Sequence, residues 1–234
     1  EKYGNPSGIY KMASECRQAL ETVRKQIGET LKVSAEEIYF TSGGTESDNW
    51  AIKSTAQRLK EKGKHIITSK IEHHAVLNSC AYLETQGFEV TYLDVDEWGC
   101  VRFDALQRAI RKDTILISIM YANNEVGTIQ PIEQIGKIAK ENDIFFHTDA
   151  VQAYGQIPID VKKENIHLLS ASAHKFNGPK GVGFLYIDKH VPVMSYIHGG
   201  KQERNHRAGT ENVAGIVGMG KAAEIAFAAQ KERE

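Results

Sequence analysis

The sequence predicts a doubly wound α/β fold of three layers, with a mostly parallel sheet of seven strands between two layers of helices. Seven β-prone runs alternate with helical patterns through most of the 234 residues. Several of these runs are almost continuously apolar, which is expected of strands that are covered on both faces. The chain also shows no internal repeat, low-complexity tract or linker. We therefore expect one domain that spans residues 1–234.

Two helices flank the first strand. Residues 12–30 have the apolar spacing of a helix. Residues 34–37, SAEE, resemble a capping box, but the β-prone residues 38–41 follow at once, which favours a short turn before a strand. The segment 42–47 contains two glycines and leads into a helix that is expected at about residues 48–62.

The rest of the chain alternates between strands and helices. Further strands are predicted at residues 65–70, 88–95, 114–122, 144–148, 167–172 and 181–187. Further helices are predicted at residues 74–86, 103–111, 131–142 and 213–230. Gly87 marks a helix end, and Pro131 suits the first position of a helix because its missing N–H group would have no partner there.

The composition is that of a soluble globular protein, with 41% hydrophobic and 25% charged residues. A net charge of −1 gives no reason to expect a nucleic acid or an anionic membrane as a partner. No apolar run approaches the ~18 residues of a membrane span, and the charged start lacks the apolar core of a signal peptide, so we expect a cytoplasmic protein. Cys16, Cys80 and Cys100 are widely spaced, which argues against a disulfide framework or a zinc-thiolate site.

Polar residues follow five of the predicted strands. The five clusters are residues 43–47, 72–74, 123–125, 149–152 and 172–175. The carboxyl ends of parallel strands meet at one edge of a sheet, and open α/β sheets bind their ligands there. The clusters are therefore expected to converge on one ligand site.

The chemistry of these clusters suits a pyridoxal cofactor. Lys175, held among small residues at a strand end, is placed to offer the neutral amine that forms a Schiff base. Asp149, at another strand end, could keep a pyridine nitrogen protonated. Glycines at residues 43–44 would let backbone N–H groups and a helix dipole bind an anion. From the residues alone, a surface lysine beside a turn and a plain helix-capping turn remain alternatives.

Two other motifs resemble ligand sites of different kinds. His73 and His74 suggest a metal, but no second pair of ligands at metal spacing accompanies them, so no metal site is predicted. Residues 215–222, GIVGMGKA, nearly match a phosphate-binding loop of nucleotide enzymes. Ala222 lacks the hydroxyl that would hold magnesium, and the stretch lies in a helical pattern, so no nucleotide site is predicted there.

Seven stretches of the chain resemble the cysteine desulfurases of the NifS/IscS type, which are class V aminotransferases among the fold-type I pyridoxal-phosphate enzymes. They are YGNPS at residues 3–7, FTSGGTESDN at 40–49, IEHHAVL at 71–77, NNEVG at 123–127, HTDAVQ at 147–152, SAHKFNGPKG at 172–181 and RAGTEN at 207–212. Together they cover nearly the whole chain in the family's order and spacing. The resemblance implies the large, cofactor-binding domain of a pyridoxal-phosphate-dependent transferase.

The resemblance also implies a role for each residue around the cofactor ring. Lys175 would bind the aldehyde of pyridoxal 5'-phosphate and move protons at the substrate Cα. His73 would stack on the ring and assist proton transfer. Asp149 would pair with the protonated ring nitrogen, Gln152 would bond the ring O3′, and Asn124 would contact cofactor and substrate.

A second set is implied for the phosphate group. The residues expected to hold it are Gly44, Thr45, Ser172 and His174, with Ala173 also counted among the cofactor-binding residues. Thr210 would reach the phosphate of the other subunit in a homodimer. The further partners that the resemblance implies are the substrate L-cysteine and a sulfur-acceptor or scaffold protein.

The implied reaction converts L-cysteine to L-alanine while the sulfur passes to an enzyme thiolate as a persulfide, for iron–sulfur cluster assembly or thiolation. The family's catalytic cysteine and its substrate-carboxylate arginine lie in a C-terminal segment without a counterpart in residues 1–234, and the N-terminal start is missing as well. We therefore expect this chain to bind pyridoxal phosphate but to transfer sulfur poorly.

Two other functions remain open. One is a different class V enzyme, a selenocysteine lyase or an aminotransferase, which amino transfer to a keto acid without sulfur release would favour. The other is a non-catalytic module for dimerisation or docking. Dimerisation and partner binding that persist in Lys175→Ala without cofactor would favour the second.

Overall fold

The computed structural model describes residues 4–232, so Tyr3 of the N-terminal motif lies outside the described residues. Within this range the chain forms six α-helices and seven strands. The strands are β1 (Ile38–Thr41), β2 (His65–Ser69), β3 (Glu89–Leu93), β4 (Thr114–Ser118), β5 (Phe145–Asp149), β6 (Leu168–Ser172) and β7 (Gly183–Ile187). The helices are α1 (Lys11–Leu31), α2 (Gly44–Leu59), α3 (His74–Thr85), α4 (Phe103–Ala109), α5 (Ile132–Glu141) and α6 (Val213–Lys231).

The seven strands form one sheet in the order β1-β7-β6-β5-β4-β2-β3. β3, β2, β4, β5 and β6 pair in parallel, which confirms the mostly parallel sheet. β7 lies antiparallel between β6 and β1, because the connection at residues 173–182 is too short for a crossover helix. Since β1 is antiparallel to β7, it points in the same direction as the parallel strands.

Helices cover both faces of the sheet, which confirms the three-layer architecture. One apolar core joins the sheet to α1, α4, α5 and α6, and it includes Ile27 and Ile135. The other core joins the sheet to α2 and α3, and it includes Trp50. Ile66 and Ile67 enter opposite cores, because successive side chains of a strand point to opposite faces.

The predicted elements are confirmed with ends that differ by up to a few residues. The start of α2 is the main correction: the helix begins at Gly44 rather than near Asp48. Gly43 is its N-cap residue and has φ +144°, a conformation that favours glycine. Pro131 is the N-cap residue of α5 rather than its first helical residue. A short 3₁₀-helix at Ala35–Glu37 forms the predicted turn before β1, and Ser34 and Glu37 form a capping box there.

No helix within residues 4–232 has the length and apolar character needed to cross a membrane.

Candidate active site

A cavity of about 230 Å³ lies at the edge of the sheet where the parallel strands end. Its lining residues are Gly44, Thr45, Asp48, His73, Met120, Ala122, Asn124, Asp149, Val151, Gln152, Ser172, His174 and Lys175. Each of the five predicted clusters contributes to this wall. The predicted convergence is therefore confirmed.

Lys175 lies on a short 3₁₀-helix, Ala173–Phe176, which directly follows β6. Asn177, in the left-handed conformation at φ +65°, ends this turn. Phe176 is buried against Tyr154, with the ring centroids 5.1 Å apart. Because the turn is anchored in this way, the exposed side chain of Lys175 is presented to the cavity from a fixed backbone.

Asp149 is the last residue of β5 and is buried. Its Oδ1 accepts a hydrogen bond from the N–H group of Val151 at 2.9 Å. Burial raises the pKa of Asp149, whereas that hydrogen bond and the charge of Lys175 act in the opposite direction. A cation bound beside Asp149 would favour its charged form further.

His73 is the N-cap residue of α3 and is exposed at the cavity. Its Nδ1 accepts a hydrogen bond from the N–H group of Ala75 at 3.1 Å. A neutral imidazole that is bonded in this way carries its proton on Nε2. The ring therefore offers a donor to a ligand in the cavity.

Asp48 lines the cavity but was not predicted as a site residue. It is 1% exposed, and its Oδ1 has no hydrogen-bond partner among the described residues. Burial raises the pKa of Asp48 well above its usual value, and the nearby charge of Asp149 adds to this effect. The sequence feature that indicates Asp48 is its spacing of four residues from Gly44. This spacing places both residues on one face of a helix that begins at Gly44.

The N-terminus of α2 forms a part of the wall whose unpaired N–H groups suit an anion. Gly44 and Thr45 are the first residues of this helix, and the first N–H groups of a helix have no partner within it. Ser172 Oγ and His174 Nδ1, which are hydrogen-bonded at 2.9 Å, line the same cavity. A Cβ atom on Gly44 would lie 2.6 Å from Val151 Cγ2, so the close approach of these elements requires glycine.

Two amide side chains complete the predicted wall. Asn124 is exposed, and its Nδ2 donates a hydrogen bond to Glu125 Oε1 at 2.7 Å. The preceding Asn123 is buried and donates to the carbonyl group of Ile71 at 2.9 Å, which holds this loop in place. Gln152 is half-buried.

Two predicted cofactor-binding residues do not line this cavity. Ala173 is fully buried, and its N–H group donates to the carbonyl group of Val182 at 3.1 Å, so it supports the turn that carries Lys175. Thr210 is exposed and lines a smaller cavity of about 130 Å³. Its contact with the phosphate of another subunit stays a prediction.

The three cysteines also lie away from the lining residues of the main cavity. Cys16 and Cys80 are buried, and Cys100 is half-buried. Burial raises the pKa of Cys80 to about 12, which makes it a poor nucleophile.

The groups in the main cavity fit pyridoxal phosphate. An amine, a buried carboxyl and a helix N-terminus on one wall match the aldehyde, the ring nitrogen and the phosphate of this cofactor. Side-chain atoms of Asp48, His73 and Asp149 lie within 4.8 Å of one another, a spacing that would also suit a metal ion. An organic anion accounts for more of the wall, because a metal ion would leave Lys175 and the start of α2 unused.

The chain matches known proteins along its whole length. The model of the aminotransferase class-V family matches residues 1–233. The cysteine desulfurase IscS of Methanosarcina thermophila is 64% identical over 232 residues, which are 99% of this chain and 57% of that protein. A solved NifS-like protein has a TM-score of 0.96 and 47% identity, over 99% of this chain and 64% of its own.

A solved structure of SspA in complex with cysteine has a TM-score of 0.92 and 45% identity. The match covers 95% of this chain and 65% of that one. This chain therefore spans somewhat more than half of the length of the curated relatives that it matches.

Proposed function

Because this chain belongs to the class V aminotransferase family, whose cysteine desulfurase members depend on pyridoxal phosphate, we propose that it holds this cofactor around Lys175 as part of a cysteine desulfurase. The observation that carries the proposal is the cavity itself. It combines Lys175, the buried Asp149 and the N-terminus of α2 on one wall.

The proposed substrate is L-cysteine. IscS of Methanosarcina thermophila is named a cysteine desulfurase, and SspA was solved in complex with cysteine. In the proposed reaction the C–S bond of L-cysteine breaks and a thiol takes up the sulfur. L-Cysteine and a thiol then give L-alanine and a persulfide, so atoms and electrons balance.

Bound pyridoxal phosphate supplies an aldehyde that takes up an amine and a ring that accepts electrons from the substrate Cα. Lys175 would hold the aldehyde and, as a free amine, move a proton at that Cα. Asp149 would keep the ring nitrogen protonated. His73 would offer its Nε2 proton at the exposed side of the cavity, which supports a role in proton transfer.

The remaining wall would orient the cofactor. The groups expected to hold the phosphate are the N–H groups of Gly44 and Thr45 and the side chains of Ser172 and His174. Gln152 and Asn124 offer amides to the ring substituent and the substrate.

The direct test is a titration of the purified chain with pyridoxal phosphate, followed by visible absorption. We expect the band of the lysine-bound cofactor in the parent chain and in Lys180→Ala, and its loss in Lys175→Ala. Lys180 is a matched control, because it is an exposed lysine of the same segment that does not line the cavity. A band that persists in Lys175→Ala would contradict the assignment of the lysine.

The reaction is tested on the loaded chain with L-cysteine and a small thiol as sulfur acceptor. A second molecule of the thiol reduces the persulfide to sulfide and is itself oxidised to the disulfide, so alanine and sulfide in equal amounts would support desulfuration. Slow turnover is expected because no cysteine lines the cavity among residues 4–232. Amino transfer to a keto acid without sulfide would instead favour another class V reaction.

A further inference from the structure

We propose that Arg207 is a positioning residue that neutralises Glu46 and thereby allows the N-terminus of α2 to bind a phosphate group. The inference rests on the proposed function, because the phosphate is that of the proposed cofactor. It extends the site to an ion pair that lies outside the cavity wall.

Glu46 places a carboxylate at the start of α2. It is the third residue of the helix, and its Oε2 accepts a hydrogen bond from the N–H group of Ser42 at 2.8 Å, so the side chain folds back over the helix start. Burial alone would raise the pKa of Glu46, but hydrogen bonds from Arg207 and Ser42 lower it below its usual value. A negative charge is therefore held at the start of α2, on the carboxylate that accepts from the N–H group of Ser42.

This charge would oppose the proposed ligand. A helix N-terminus attracts anions, and an unpaired carboxylate in the first turn would satisfy that attraction itself. A phosphate brought to the same turn would meet a like charge at short range, in a place where only 10% of the Glu46 side chain is exposed to water. An unpaired Glu46 would therefore weaken phosphate binding.

Arg207 removes this conflict. Its Nε and Nη2 donate to Glu46 Oε1 and Oε2 at 2.8 and 3.0 Å, a two-point contact that compensates the carboxylate. Arg207 lines the smaller cavity with Thr210 and is not among the residues of the main cavity. It therefore acts on the phosphate through Glu46 rather than by contact.

The segment that carries Arg207 is held by other contacts. The N–H group of Ala208 donates to the carbonyl group of Ile197 at 3.0 Å, and the carbonyl group of His206 accepts from the N–H group of Tyr196 at 2.8 Å. The position of the guanidinium therefore does not depend on a bound ligand. Arg207 is preorganised to pair with Glu46 before the phosphate arrives.

The test compares pyridoxal phosphate with pyridoxal, which lacks the phosphate, in the 234-residue chain. Dissociation constants are measured by absorption for the parent, Arg207→Gln, Glu46→Gln and the double variant. We expect Arg207→Gln to weaken pyridoxal phosphate binding roughly tenfold and to change pyridoxal binding by less than about twofold. The double variant should return to within about threefold of the parent, because it removes the unpaired charge as well.

Arg204→Gln is the matched control. Arg204 lies in the same segment, but its guanidinium packs over the ring of Tyr39 and donates to the carbonyl group of Ile38 at 2.8 Å. Its substitution should leave the preference for the phosphorylated ligand unchanged. If Arg207→Gln does not fold, Glu46→Gln provides the test alone, because it is expected to bind pyridoxal phosphate at least as tightly as the parent.

Several results would overturn the inference. One such result is an Arg207→Gln chain that keeps the parent's preference for the phosphorylated ligand. Another is an equal loss of affinity for both ligands, which would indicate a purely structural role. A double variant no better than Arg207→Gln, or weaker binding in Glu46→Gln, would do so too. A parent chain that binds neither ligand would overturn the proposed function together with this inference.

Discussion

Glu72 is a buried acid that directly precedes His73. Its Oε1 accepts hydrogen bonds from the Ser69 hydroxyl at 2.6 Å and from the N–H group of Met120 at 2.9 Å, whereas Oε2 has no partner among the described residues. Burial raises the pKa of Glu72 to about 8. The side chain is therefore mostly protonated at neutral pH, where it acts as a neutral hydrogen-bonding group behind the site.

We expect Glu72→Gln to remove part of the pH dependence of stability. Between the usual pKa of 4.5 and about 8, the folded chain keeps a proton that the unfolded chain loses. The free energy of unfolding of the parent therefore falls as the pH rises through this window, by at most about 1.4 kcal/mol per pH unit from this group. The amide cannot ionise, so the variant should gain stability relative to the parent towards pH 8.

Urea denaturation of both proteins at about pH 5 and pH 8 measures this difference. Gln is the appropriate substitution because its carbonyl group can accept the same two hydrogen bonds. An equal change of stability with pH in parent and variant would mean that Glu72 is ionised in the folded chain.

At the scale of the element, the start of α2 determines the geometry of the proposed anion site. Gly44 lies so close to the loop after β5 that an added Cβ atom would meet Val151 Cγ2. We expect Gly44→Ala to weaken the binding of pyridoxal phosphate roughly tenfold, because the helix start and Val151 must move apart. Titration by visible absorption gives the affinity.

The double variant Gly44→Ala with Val151→Ala is the control. It removes the methyl group that the new side chain would meet, so it should recover most of the lost affinity. A double variant as weak as Gly44→Ala would show that the loss has another cause.

The same helix shows which features of the fold the local sequence can predict and which it cannot. The existence and type of the elements could be predicted because apolar periodicity reports burial directly. The start of α2 could not, since Gly43 and Gly44 have poor helix propensity and favour a loop, whereas packing on the sheet places the helix start there. Asp48 was missed for the same reason, because its face is defined only once that start is known.

At the scale of the whole molecule, distant side chains cover the open edge of the sheet. β1 is the terminal strand and pairs with β7 on one side. On its other side the N–H group of Phe40 donates to Glu203 Oε2 at 2.9 Å, and the carbonyl group of Ile38 accepts from Arg24 Nη1 at 2.7 Å. Arg24 and Glu203 also bond each other, with side chains only 5% and 3% exposed. This pair takes the place of a further strand.

We expect Arg24→Met to lower the free energy of unfolding by about 3–5 kcal/mol, because it leaves the carboxylate of Glu203 buried without its partner. The double variant with Glu203→Leu should lose less, since no unpaired charge remains. Lys25→Met, at an exposed neighbouring position, should change stability by less than about 0.5 kcal/mol. Urea denaturation measures all three, and a double variant less stable than Arg24→Met would contradict this account.

Long-range features divide into those that follow from topology and those that do not. The convergence of five clusters was predictable because parallel strands end at one edge. The direction of β7 and the Arg24–Glu203 pair were not, because each depends on a partner that no local pattern specifies. The Arg24–Glu203 pair joins positions 179 residues apart.

The pairing of β1 with β7 has a consequence for synthesis on the ribosome. β1 emerges early, but its hydrogen-bonded neighbour ends only at Ile187. A nascent chain that stops before β7 has no strand on which β1 can settle, so the start of α2 has no fixed place. Lys175 lies in the connection that leads into β7, and its turn is completed at the same stage. The two halves of the proposed cofactor site are thus assembled together late in translation, and capture of the cofactor must await the synthesis of β7.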